Sequence, residues 1–409
     1  MKKRHAWPPG HWSWPIGIGH KHGLRCGEMV WVGGQVDLDS AGEVRNPGDL
    51  AAQTRSAVAY LGAVLDELDA DFGDLVKLLC FYVNDGSVDE RAFLGQVAGA
   101  LPGGVRTALT AVPVPYLAYP GLQVEIEGYA MLGRTGEKLA RRYAAQSATA
   151  GLPASFVPAV RCGEMIFVGA QAPVAADGTI LHPGRIVEQT VEVMGRIDSV
   201  LRQFGASFDD VVKMNRWYVG QGTVEDFEPA ALACAANYSE PGPAATGIPI
   251  PRHALDGVQI EIEVIAMLGK DGARLPRKHA WPDSLWDWHV HLPYKHGLKC
   301  GEMIFLGGQV SLDKSGQALH PDNLELQTRQ AMVHIGTILE ELGAGYGDVC
   351  KVLTFYQGAC GHDDLHRNLA VRSSFFTDPG PATTGIPLPV LAYPHMVVEI
   401  DILAMAEES

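Results

Sequence analysis

The sequence has no run of about 18 apolar residues, the length a helix needs to cross a bilayer, so no transmembrane segment is expected. It has no surplus of positive charge: 32 Lys and Arg stand against 47 Asp and Glu, a net charge of −15. A protein that displaces counterions from phosphates needs a basic face. Nucleic acid and anionic membrane surfaces are therefore not expected partners. Cysteine is sparse and unpaired in pattern, with seven residues and no CxxC. That argues against a disulfide framework and a cysteine zinc site, and it fits a reduced, cytoplasmic setting. There is no GxGxxG followed by an acidic residue and no P-loop, so no cofactor is expected. The basic start, Met1-Lys2-Lys3-Arg4, leads into no apolar core and does not read as a signal peptide.

What the sequence does have is a repeat. Cys26-Gly27-Glu28-Met29 returns as Cys162-Gly163-Glu164-Met165 and as Cys300-Gly301-Glu302-Met303, at offsets of 136 and 138. The same offsets carry Gln53-Thr54, Asp74 and Lys77 to their counterparts, and Val124-Glu125-Ile126-Glu127 to Ile260-Glu261-Ile262-Glu263 and Val398-Glu399-Ile400-Asp401. Three tandem domains follow, at 1–134, 141–269 and 279–409, joined by polar, glycine-containing stretches. The first and third copies share His-Ala-Trp-Pro and Ala-Tyr-Pro, which the second lacks, so their sites need not be equivalent.

Within one copy, Met29 to Val32 reads as a buried strand ended by Gly33-Gly34, and Pro47-Gly48-Asp49 as a helix start. Val58, Leu61, Leu65 and Leu68 then recur at helical spacing. Residues 75–82 form a second strand, 89–101 a second helix, and 108–112 and 122–131 the last strands, giving β-β-α-β-α-β(β). This is an α+β domain, a mixed sheet with helices on one face. Along the last strand Val124 and Ile126 point one way, Glu125 and Glu127 the other. A carboxylate on the face away from the helices must be solvated or partnered. Three sheets closing face to face, a single-chain pseudo-trimer, would cover it.

The residues resemble the RidA (YjgF/YER057c/UK114) family. The resemblance rests on Val32-Gly33-Gly34-Gln35 and Leu306-Gly307-Gly308-Gln309, the helical Gln-Thr, the strand Asp-x-x-Lys, Gly242-Pro243-Ala244 and Gly380-Pro381-Ala382, Pro293-Tyr294 and the closing Val-Glu-Ile-Glu. It spans nearly the whole chain, three times. It implies a chorismate-mutase-like fold, ligand sites in clefts between units, and hydrolysis of reactive enamines and imines to keto acids and ammonia. It also implies an arginine after Pro-Ala that holds the substrate carboxylate, and a first glutamate of the last strand beside the attacking water. Here the arginine position holds Leu109, Ala245 and Thr383, and Thr383 stays a candidate contact. Neither Ala nor Thr replaces a guanidinium fork. Arg106, three residues before Leu109, would substitute only in a remodelled loop.

The glutamate persists as Glu125, Glu261 and Glu399, the candidate general acid/bases; the alternative is a structural carboxylate paired between copies. The family tyrosine position reads His20, Phe156 and Tyr294, with His20 a candidate proton shuttle and Phe156 and Tyr294 candidate contacts. Trp12, Trp14, Trp286 and Trp288 form either an aromatic wall for a ring substrate or packing that locks the copies together. His20-x-His22 and His289-x-His291 have no evident third ligand, so no metal is expected. Arg252-His253 and His395 precede the last strands and could anchor an anion or simply be solvated. The expected function is a small-molecule hydrolase or deaminase acting on a C–N bond in an inter-domain cleft. The rivals are a non-hydrolytic or chorismatase-like enzyme, which would want several well-placed arginines, and a non-catalytic metabolite- or protein-binding module. The expected assembly is a monomeric pseudo-trimer, with further self-association left open.

Overall fold

The computed structural model describes residues 1–145 and 151–407. In the first copy, Gly23–Cys26 and Met29–Gln35 form a hairpin, and Lys3–Ala6 adds an outer strand that the sequence pattern did not reveal. The closing strand, Val124–Met131, sits in the middle of the sheet between Met29–Gln35 and Leu75–Val83. Thr107–Val114 runs parallel to Leu75–Val83, which requires a crossover connection. Two helices pack on one face. Leu50–Glu67 (α1) begins at Asp49, whose side chain accepts from the Ala52 N–H, and Glu90–Ala100 (α2), the crossover, is capped in the same way by Asp89. The plan recurs with helices Ile186–Arg202 (α3) and Val224–Ala235 (α4) in the second copy, and Leu324–Glu341 (α5) and His362–Ser373 (α6) in the third.

The strand expected to stop at Gly33-Gly34 runs on to Gln35 through a register shift. The glycines serve close approach there: a Cβ on Gly33 would lie 2.5 Å from the Thr383 carbonyl oxygen of the third copy.

The three sheets close on one another with their helices outward. Their inner faces form one apolar cluster that draws Trp31, Phe167 and Phe305 from the three copies. Near the pseudo-threefold axis Phe81, Trp217 and Phe355 meet edge to face at 5.7, 5.4 and 6.0 Å between ring centroids. Around it runs a ring of buried ion pairs, each joining two copies: Lys77 to Glu263 at 2.6 Å, Lys213 to Asp401 at 2.6 Å and Lys351 to Glu127 at 2.7 Å. The second acidic residue of each closing strand thus has the partner that its burial demands. Backbone exchange closes the ring in the same sense. The segment before each hairpin pairs with the edge strand of the preceding copy, Phe156 with Thr107, Lys295 with Ala244 and Lys21 with Ala382. No helix among the described residues is long and apolar enough to cross a membrane.

Candidate functional site

The geometry places the first glutamate of each closing strand on the wall of a cleft between two copies. Between the second and third copies, Glu399 is nearly buried and sits beside Gly308. A Cβ at Gly308 would fall 1.8 Å from Glu399 Oε1, so the carboxyl occupies the space that glycine leaves. Burial, with Asp401 alongside, outweighs Lys213 and Arg216 and pushes this carboxyl up to about 8. The Gly247 backbone N–H donates to it. On the other side of Gly247 lies the guanidinium of Arg216: a Cβ on that glycine would be 2.8 Å from Arg216 Nη2. Arg216 also lies over the Phe227 ring at 4.3 Å. Trp286, Trp288, Tyr294 and Tyr393 complete the walls around an empty space of about 30 Å³. Four of the lining groups carry a buried polar atom with no hydrogen-bond partner: Arg216 Nε, Trp286 Nε1, Tyr294 Oη and Tyr393 Oη.

The cleft between the third and first copies is built the same way from Glu125, Gly34, Trp12, Trp14, Thr383 and Gly385, around a space of about 30 Å³. Burial pushes Glu125 up to about 8, against the pull of Lys351. Arg372 stands behind the wall, donating from Nε to Asn368 Oδ1 at 2.6 Å and from Nη1 to Thr383 Oγ1 at 3.0 Å. Burial lowers it only to about 9, so it is charged at neutral pH. The Tyr119 hydroxyl is engaged with His366 Nε2 at 2.9 Å, whereas its counterpart in the other cleft, Tyr393, is unpartnered.

These two arginines reach corresponding places from different elements. Arg216 is on the strand Val211–Val219, and the helix position facing it is Cys234 on α4. In the third copy the strand position is Thr354 and the helix position, on α6, is Arg372. In the first copy the pair is Cys80 and Val97, and no arginine is present. Two of the three clefts thus have a buried arginine in or behind the wall, and the third has none. The repeat comparison did not find this because the two arginines do not align. A cation in the middle of an apolar strand, and one on the inward face of α6 four residues after Asn368, were the available signals.

The remaining candidates divide. Tyr294, Trp286, Trp288, Trp12, Trp14 and Thr383 line clefts. The tryptophans also pack on one another and on a histidine, Trp14 on His22 at 5.2 Å and Trp286 on His296 at 4.7 Å, so wall and packing coincide. Arg106 does not enter a cleft: it is exposed and stacks over the Tyr143 ring at 4.3 Å, held there by the strand that opens the second copy. Phe156 is buried in the helix-side core of the first copy. His20 is fully buried with Nδ1 3.3 Å from the Pro381 carbonyl. Burial and Arg372 push it down to about 3, which keeps it neutral across the pH range a shuttle would use. Glu261 lines the cleft between the first and second copies, which is chemically unlike the other two. Among the described residues no group of three His, Cys, Asp or Glu is placed to hold a metal ion.

The model of the family described as endoribonuclease L-PSP matches residues 18–132, 148–268 and 288–406. A RutC family protein of Pyrococcus abyssi is 28% identical over 115 residues, which are 28% of this chain and 87% of that protein. A 2-iminobutanoate/2-iminopropanoate deaminase of Mus musculus is 27% identical over 122 residues, 29% of this chain and 86% of that protein. Among solved structures a chorismatase superposes with a TM-score of 0.55 at 12% identity, covering 81% of this chain and 93% of the other. That likeness bears out the expected fold and carries no reaction with it.

Proposed function

The chain belongs to the endoribonuclease L-PSP family, and from that premise we propose that its cleft between the second and third copies hydrolyses a small, carboxylate-bearing imine or enamine to a carbonyl compound and ammonia. The observation that carries the reading is the placing of Glu399 and Arg216 on either side of Gly247, in a narrow cleft where four lining polar atoms lack partners. An anionic group seated on Arg216 would take up those donors, and a guanidinium is suited to a carboxylate. Tyr294 and Tyr393 would hold the rest of the substrate. The relatives named deaminases supply the reaction class.

With its carboxyl raised to about 8, Glu399 is mostly protonated at neutral pH and acts first as the acid. It gives its proton to the imine nitrogen, or to the enamine carbon, and becomes a carboxylate. Water adds to the resulting iminium carbon and loses a proton to that carboxylate. The proton is then passed to nitrogen, the C–N bond breaks, ammonia leaves, and the remaining oxygen proton is lost as the carbonyl forms. Arg216 fixes which carbon faces the carboxyl. A void of about 30 Å³ holds one or two waters, so the reading favours a small substrate over a ring.

The test is ammonia release from small 2-imino acids generated in situ, compared with esters of the same compounds. Wild type is expected to use the acids, with Glu399→Gln and Arg216→Met each losing at least tenfold and Glu125→Gln losing less. Equal use of the esters, or full activity in Glu399→Gln, would overturn the assignment.

A further inference from the structure

We infer that the cleft between the first and second copies is a binding site for an organic cation, a primary amine with an apolar body, and so takes a ligand of the opposite charge to that of the cleft proposed for hydrolysis. Three observations carry it. The first is composition. α2 places Glu90 where α4 and α6 place Phe227 and Leu365, so an acid stands in a wall position that is apolar elsewhere. No buried arginine faces it, since the corresponding strand and helix positions are Cys80 and Val97. Arg91 and Arg196 stand at the rim, exposed and half-exposed, where solvent screens them.

The second observation is the posture of Glu261. Its counterparts lie against Gly34 and Gly308, but the second copy has Ala170, whose Cβ fills that space. Glu261 lies instead beside His253, with Oε1 3.6 Å from Nδ1. His253 is buried and belongs to the second copy alone, for Leu117 and Leu391 take its place in the others. Its Nε2 is 3.1 Å from the Trp217 carbonyl, an acceptor, so Nε2 carries the hydrogen and Nδ1 presents a lone pair. That lone pair has no partner and faces a carboxylate oxygen. Burial, with Glu90 alongside, raises Glu261 well above the usual carboxylate range. Glu90 Oε2 takes a hydrogen bond of 2.6 Å from the Tyr82 hydroxyl, a neutral donor.

The third is space. The cavity has about 370 Å³, against about 30 Å³ in each of the other two clefts, and Leu94, Leu109 and Leu255 line it. This is the size of a metabolite site. An ammonium group brings three donors and a positive charge to a place that offers two carboxyl groups and a free imidazole lone pair.

This inference stands apart from the hydrolytic reading. The test is calorimetric titration of the full chain with n-hexylammonium and with hexanoate. Hexylammonium is expected to bind, and Glu261→Gln and Glu90→Gln are each expected to weaken it at least tenfold, while Glu399→Gln retains the wild-type affinity. Both glutamine variants are isosteric, and thermal unfolding near the wild-type temperature verifies that they fold. Absence of hexylammonium binding, equal binding in the folded glutamine variants, or tighter binding of hexanoate would each overturn the assignment.

Discussion

Replacing Lys351 with methionine tests the architecture through the ring of ion pairs. Lys351 Nζ lies 2.7 Å from Glu127 Oε2, and both side chains are 1% exposed. Nζ also donates to Thr384 Oγ1 at 2.6 Å. Methionine matches the aliphatic stem but leaves Glu127 buried with the Thr384 hydroxyl as its remaining donor, and Glu127 Oε1 already lacks one. Breaking a buried pair by removing one partner costs about 3–5 kcal/mol, whereas replacing both partners by apolar groups is neutral or stabilising by about 1–4 kcal/mol. Lys351→Met should therefore lose about 3–5 kcal/mol in urea unfolding followed by tryptophan fluorescence, and Lys351→Met with Glu127→Leu should recover most of it. Lys77→Met and Lys213→Met should behave alike, because each leaves an acid of the next copy unpaired. A single variant within about 1 kcal/mol of wild type, or a double variant as weak as the single, would refute the view that these pairs hold the copies together. The same change has a second readout. Lys351 is the group that restrains Glu125, so its loss should push the Glu125 carboxyl further up while Glu399 is untouched.

Two further outcomes follow from the clefts. The Glu399 carboxyl stands at about 8 in the folded chain against an ordinary 4.5, so the folded state holds a proton that the unfolded state releases. Its contribution to stability is full below the unfolded value and is lost as pH rises through the folded one. Glu399→Gln should accordingly melt above wild type at pH 8.5 and level with it at pH 4.5 by calorimetry; equal melting at both would count against a buried, raised carboxyl. For the arginines, Arg216→Thr should cut ammonia release by about 30- to 5,000-fold, the range for removing one member of a buried, hydrogen-bonded charge contact. Adding Cys234→Arg recreates the Thr354 and Arg372 pairing of the third copy and should restore at least tenfold. A double variant that folds by circular dichroism yet recovers nothing would show that the two positions are not interchangeable.

Much of the scaffold was legible because it is written three times. The helical spacing of Val58, Leu61 and Leu65 located α1, and the alternation in Val124 to Glu127 already required a partner for a carboxylate facing away from the helices. The repeated Asp-x-x-Lys strand held that partner, but its lysine pairs with an acid far along the chain in another copy (Lys213 with Asp401, Lys351 with Glu127), which no local pattern reveals. The outer strand Lys3–Ala6 escaped because an edge strand of alternating exposure resembles a tail. Arg106 misled for a different reason: nearness in sequence to the expected position says nothing about direction, and its guanidinium found an aromatic face instead. Arg216 and Arg372 escaped because they share a location in space and not a column in the repeat.

That last point bears on how one ring came to hold three different clefts. The Lys–carboxylate pairs and the Phe81, Trp217 and Phe355 contact link every copy to its neighbours, so a change there is felt around the whole ring. The strand–helix interface behind each cleft is built from the strand and helix of one copy. It has room for a single guanidinium, and either element can supply it: Arg216 over Phe227 with Cys234 opposite, or Arg372 tied to Asn368 and Thr383 with Thr354 opposite. Where neither does, as with Cys80 and Val97, no buried cation remains to favour an anion, and the retained Glu261 with the added Glu90 carries the inferred preference for a cation. The wall position next to the carboxyl changes with it, glycine where an arginine is present and Ala170 where none is. Fusing three units into one chain is what makes this possible, since identical subunits would have to change all three clefts at once.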